Sequence, residues 1–179
     1  DFNDFLKVYD LATAAIKTPE DYYDLTIDYL ERVALEGGLY VEILVSPDHV
    51  LNLGMALQDQ LDALIQAIDD ARERFGVETR ISQTIVRHYG PENSVAAAKA
   101  AVEHLHPYIT GFQMAGAEDA YTPADFRPAY DIAAEAGLRC TAHTGEWLGP
   151  DSIRETLAAL PMVERLGHGV RAIQDEALV

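Results

Sequence analysis

The sequence predicts an α/β protein on a parallel sheet: a (β/α) TIM barrel, present as an incomplete barrel of about five βα units. Three observations carry that reading. Short apolar runs rich in Val, Ile and Tyr alternate with longer stretches of helical periodicity. Strand starts near residues 39, 79, 109, 138 and 163 recur roughly every 25 to 40 residues, the size of one βα repeat. No Gly-rich phosphate turn follows an early strand, as an open doubly wound sheet would often require.

The elements follow in order. Pro19–Leu35 reads as a helix running into Gly37-Gly38. Leu39–Val45 (LYVEILV) reads as a strand, closed by Ser46-Pro47-Asp48. Leu57–Phe75 places Leu57, Leu61, Leu64, Ile65, Ile68, Ala71 and Phe75 on one helical face, and Gly76 ends it. Thr79–Val86 is the next strand, Asn93–Leu105 the next helix and Ile109–Ala115 a short strand after Pro107. Thr122–Ala136 reads as a helix capped by Thr122, with Pro123 in its first turn and Gly137 as its stop. Leu138–Ala142, Pro150–Leu160 and Val163–Leu166 complete the series as strand, helix and strand. A full barrel has eight strands in about 250 residues, so residues 1–179 are expected to be one domain, the central part of a barrel whose first and last strands lie elsewhere.

Composition narrows the function. The net charge is −17, with 13 Lys and Arg against 30 Asp and Glu. A nucleic-acid binder needs a basic face to displace counterions, so nucleic acids and anionic membranes are excluded as expected partners. No apolar run approaches the roughly 20 residues that span a bilayer, and the first residues lack the pattern of a signal peptide. The single cysteine, Cys140, has no internal partner and fits a reducing cytoplasm. A small substrate remains.

Two segments carry chemistry: Thr141-Ala142-His143-Thr144-Gly145-Glu146 and Arg165-Leu166-Gly167-His168-Gly169. In each, a histidine stands where an apolar strand gives way to glycine, the C-terminal strand end where barrel enzymes build active sites. The histidines are 25 positions apart, one loop–helix–loop return, so they belong on neighbouring strands facing one cavity. His143 suits a metal through a neutral ring nitrogen, and His168 suits orienting or deprotonating a water. Glu146, on the loop over the cavity, would have its pKa raised by shielding from water and carry a proton to a substrate. Gly116 ends the strand one repeat earlier and leaves room for a flat ligand.

These residues lie in motifs that resemble the adenosine deaminase family. His143-Thr144-Gly145-Glu146 is similar to its HAGE motif and Arg165–Gly169 to its R-[IV]-G-H-G motif. Gly111–Glu118 (GFQMAGAE) resembles the family's G-F-D-L-A-G-x-E strand, and Tyr40–Pro47 (YVEILVSP) its Y-x-E-x-R-x-S-P strand. The order and intervals are family-like from residue 40 onward. The resemblance implies a zinc-dependent hydrolase that removes the amino group of adenosine or 2′-deoxyadenosine, giving inosine and ammonia. It implies His143 as a zinc ligand, Glu146 as proton donor to the purine ring nitrogen, His168 as the group assisting the attacking water and Gly116 as a backbone contact to the purine. Zinc, one per site, would lower the pKa of water to near neutrality.

The departures are specific. The family's N-terminal His-x-His pair and C-terminal Asp-Asp pair have no counterpart here, so one zinc ligand of the usual three is present. These residues alone are therefore expected to be inactive. Leu44 stands for the family's Arg and Thr144 for its Ala. Adenine or another aminopurine is a rival substrate, and a metal-free deaminase-like scaffold or a different barrel hydrolase are rival functions. His49, His88, His104 and His106 are read as loop or helix-end residues, Cys140 as core and Glu42 as half of an internal ion pair. Exposed strand edges favour association of copies.

Overall fold

The computed structural model describes residues 2–179. Its five strands are β1 (Tyr40–Val45), β2 (Glu78–Val86), β3 (Ile109–Ala115), β4 (Arg139–Thr144) and β5 (Val163–His168). They pair in sequence order, every neighbour parallel. A parallel pair needs a crossover, and the helices supply it: α4 (Leu57–Phe75) after β1, α5 (Pro91–Glu103) after β2, α6 (Arg127–Glu135) after β3 and α7 (Pro150–Ala159) after β4. The result is a curled half-barrel clad with helices on its convex face.

Local chemistry sets the helix ends. The Thr18 hydroxyl accepts the Asp21 N–H and the Asp21 carboxylate accepts the Thr18 N–H, a capping box that starts α2 (Pro19–Leu35). Gly76, at φ 74°, takes the left-handed turn that ends α4, a conformation costly for other residues. The helices then bury one stripe each. Leu30 of α2, Leu61 and Ile68 of α4, Ile81 and Ile85 of β2 and Phe112 of β3 are all buried in one core. Each such side chain contributes about 1.5–3 kcal/mol relative to exposure. Polar anchors fix the layers: Tyr23 donates to Asp70 at 2.6 Å between α2 and α4, and Tyr130 of α6 donates to the Thr141 carbonyl at 2.7 Å.

The sheet also buries polar side chains, among them Ser82, Thr84 and Gln113, with Gln113 donating to Thr84 at 3.0 Å. Glu42 of β1 does form the expected ion pair, with Arg165 of β5 at 2.8 and 3.1 Å. That contact spans the whole curl, from the first strand to the fifth.

Several boundaries depart from expectation. The helix expected over Thr122–Ala136 divides into a 3-10 turn, Pro123–Phe126, and α6. Pro128, at the start of α6, offers no N–H to continue the preceding turn. The Ser46-Pro47-Asp48 stop begins a short helix, α3 (Pro47–Leu53), with Pro47 in its first turn. An unforeseen helix, α1 (Phe2–Thr13), precedes the rest. Strands β4 and β5 each extend two residues further than expected, which makes Thr144 and His168 their last members.

Candidate active site

At the C-terminal end of β4 the register sets His143 opposite Gly167 and Thr144 opposite His168. Glycine at 167 is required, because a Cβ there would stand 2.8 Å from Nδ1 of His143. The two imidazoles meet edge to face with centroids 5.0 Å apart. His143 Nδ1 lies 3.0 Å from the Met114 carbonyl of β3. A carbonyl only accepts, so Nδ1 carries the proton and Nε2 keeps a free lone pair. Burial, and secondarily the neighbouring His168, push the His143 pKa down, which favours that neutral form.

His168 sits in the left-handed region at φ 64°, uncommon for a residue with a Cβ and characteristic of functional sites. Its Nε2 is 3.4 Å from Oε1 of Glu146. Burial raises the Glu146 pKa; His168 opposes that rise and the carboxylate of Glu118 adds to it. Gly116, at φ 102°, turns the backbone beyond β3 where a Cβ would meet His88 Nδ1 at 2.7 Å. His143, Glu146, His168 and Gly116 all line one cavity of about 760 Å³. The structure thus brings together all four residues singled out in the sequence.

Residues passed over in the sequence also belong here. His88, read as a loop or helix-end residue, lines the same cavity; its Nδ1 accepts the Ala117 N–H at 3.3 Å and its Nε2 is 3.7 Å from Asp10. His49 lines it too, its pKa lowered by burial. The side of α1 carrying Phe2, Leu6 and Tyr9 lines it as well, with Phe2 stacked on Trp147 at 5.7 Å. Glu118, 3% exposed, accepts from the loop that carries Glu146. The signal for Glu118 was an acid three residues beyond an apolar strand end, where a buried charge must find donors. His104 and His106 stay outside, His104 paired with Gln58 at 2.8 Å. Cys140 is buried, forms no disulfide and donates its thiol to the Leu138 carbonyl at 3.6 Å.

For a metal, the chain offers the Nε2 of His143, its tautomer fixed from behind as metal-bound imidazoles usually are. Among the described residues no three His, Cys, Asp or Glu side chains are grouped to hold an ion. One ligand therefore fits, and the other donors of a catalytic zinc would come from outside these residues.

Comparison with known proteins places this geometry. The chain is 44% identical over all its 179 residues to an adenine deaminase of Agrobacterium fabrum, covering 55% of that protein. It is 43% identical to an adenine deaminase of Chelativorans sp. (strain BNC1), again over 55% of its length, so it spans about half the length of the curated relatives it matches. The crystal structure of an adenine deaminase from Arthrobacter aurescens superposes with a TM-score of 0.92 at 32% identity, over 99% of this chain and 54% of that one. An amidohydrolase from Burkholderia ambifaria, crystallised with bound Zn, superposes with a TM-score of 0.85 at 26% identity, over 90% of this chain and 45% of the other. The family model described as adenosine deaminase matches residues 1–179 throughout, and the chain belongs to that family.

Proposed function

We propose that the whole protein containing these residues hydrolyses the exocyclic amino group of adenine, releasing ammonia, and that these residues supply its proton-transfer face. The single observation that carries this is the convergence of His143, Glu146 and His168 at one end of the curled sheet, beside Gly116. Adenine has better support than adenosine, the substrate first expected, because the similar proteins described above are named adenine deaminases.

His143 Nε2 would hold zinc with donors from the remainder of the protein; zinc, when bound, supplies water acidified to near neutral pH. The chain's own residues do the rest. Glu146, its pKa raised by burial, holds a proton that it delivers to a purine ring nitrogen, which makes the adjacent ring carbon electrophilic. His168 orients the attacking water and takes up its proton. The backbone at Gly116, free of a side chain, borders the flat base. Free Cys140 and the acidic charge fit a cytoplasmic enzyme with a small substrate and no nucleic-acid partner. No described helix is long and apolar enough to cross a membrane.

The test is ammonia release by the intact, zinc-loaded protein from adenine, adenosine and 2′-deoxyadenosine in parallel. Adenine is expected to be consumed with the highest kcat/KM. Preference for a nucleoside would return the substrate to adenosine; inertness toward all three would overturn the reading.

A further inference from the structure

Only three charged residues on the whole sheet and its loops are nearly sealed from solvent among the described residues: Asp48, Arg87 and Glu118, exposed by 4%, 3% and 3%. None takes part directly in the proton transfers proposed above. A buried charge needs hydrogen-bond partners, and each of these is engaged in the same direction. Asp48, after β1, accepts the Val86 N–H at the end of β2 at 3.0 Å. Arg87, after β2, donates to the carbonyls of Ala120 and Tyr121, after β3, at 2.6 and 2.8 Å. Glu118, after β3, reaches the loop after β4.

Glu118 is the most heavily engaged. Its Oε2 accepts the N–H groups of Trp147 at 3.1 Å and Leu148 at 2.9 Å. Its Oε1 accepts the Gly145 N–H at 2.5 Å and the Ser152 hydroxyl at 2.6 Å, with Thr144 Oγ1 at 3.4 Å. The backbone donors lie immediately on either side of Glu146. A two-oxygen acceptor bound to the residues before and after Glu146 fixes that peptide from both ends and leaves the Glu146 side chain to face His168 and the cavity. Gly145 suits the arrangement: at φ 62° it takes the sharp turn, and a Cβ there would strike Ile153 at 2.5 Å.

We propose that Glu118 is a positioning residue: its carboxylate clamps the Gly145–Leu148 loop and so sets the place of the Glu146 carboxyl at the cavity. Its importance for turnover rests on the reading of Glu146 as proton donor; the clamp itself does not. Neutral glutamine cannot replace it, because its amide nitrogen donates and would confront an N–H or hydroxyl donor at one of the two positions.

The experiment compares the intact zinc-loaded protein with its Glu118→Gln and Ser152→Ala variants by hydrogen-exchange mass spectrometry and by steady-state kinetics on adenine. In Glu118→Gln, exchange over residues 145–149 is expected to quicken while β4 and α6 keep their protection. Misplacement by about 1 Å costs on the order of 100-fold, so kcat is expected to fall about 10- to 100-fold with KM within about twofold. Ser152→Ala, which removes one donor and leaves the carboxylate, is expected to move both readouts the same way by less, and serves if Glu118→Gln does not fold. Unchanged exchange over 145–149, or a uniform loss of protection across the protein, overturns the clamp. A parent protein silent toward adenine, with faster exchange confined to the loop, sinks the functional reading and leaves the clamp standing.

Discussion

At the residue scale, one environment gives two neighbouring groups opposite protonation tendencies. Burial lowers the pKa of His143, which favours the neutral ring, and raises that of Glu146, which favours its protonated form. A carboxylic acid needed in its protonated form works below its pKa and fails above it. Raising that pKa therefore extends activity toward neutral pH, and turnover is expected to decline as pH climbs through the Glu146 ionisation. Replacement Glu146→Gln preserves shape and removes the transferable proton. It should cut kcat for adenine by about 10²- to 10⁴-fold, abolish that alkaline decline in any residual rate and leave metal content unchanged. A variant retaining parental kcat and its alkaline limb would assign the acid role elsewhere. Gly167 belongs to the same argument, since any side chain there displaces the His143 ring.

At the element scale, the short helix α3 illustrates how a contact between strand ends can rest on a group whose ionised form costs stability. Asp48 lies in its first turn, buried, and its pKa is pushed up to about 6 by that burial, against the opposing pull of the Val86 N–H. The sign follows directly. A carboxyl whose folded pKa exceeds its unfolded value of about 4 favours folding when protonated, and that benefit is lost as pH rises from about 4 through about 6. Above this window the ionised group costs on the order of 2–3 kcal/mol. Asp48→Asn keeps an oxygen to accept from Val86 and cannot ionise. Urea unfolding should find it more stable than the parent by about 1–3 kcal/mol at pH 7.5 and equal to it near pH 4. A variant destabilised equally at both pH values would show that the carboxylate is itself required. The same helix marks a limit of legibility: Pro47 was read as closing β1, although proline opens helices as readily as it ends strands.

At the scale of the whole molecule, what was legible in the sequence is what repeats. Strand order and helix placement emerge from apolar periodicity, and His143 and His168 from glycines flanking strand ends; Glu146 follows from its place over the same cavity. The burial of Asp48, Arg87 and Glu118 was not legible, because each depends on a partner about 30 residues or more away, whereas the break in the Thr122–Ala136 segment was signalled locally by Pro128. α1 escaped for a different reason: besides the side carrying Phe2, Leu6 and Tyr9 it has apolar Val8 and Leu11, both exposed, which blur the helical stripe. The three hidden charges share a logic that only the assembled sheet displays. Each reaches from one strand end to the next, and the backbone completes the series where Gly169 and Arg171 donate to the carbonyls of Thr144 and Gly145. Arg87 also holds the carbonyl of Tyr121, a residue in the left-handed region at φ 60°, so that strained turn depends on a neighbouring strand. Such a series should transmit disorder forward along the strand order. Arg87→Met leaves two carbonyls without their donor, a cost of about 2–3 kcal/mol. Hydrogen exchange should then quicken at residues 119–122 and, through the neighbouring Glu118, at 145–148, whereas Glu118→Gln should leave the end of β2 protected. Loosening that spreads equally toward β1 would mean the strand ends are held by general packing, not by these directed contacts.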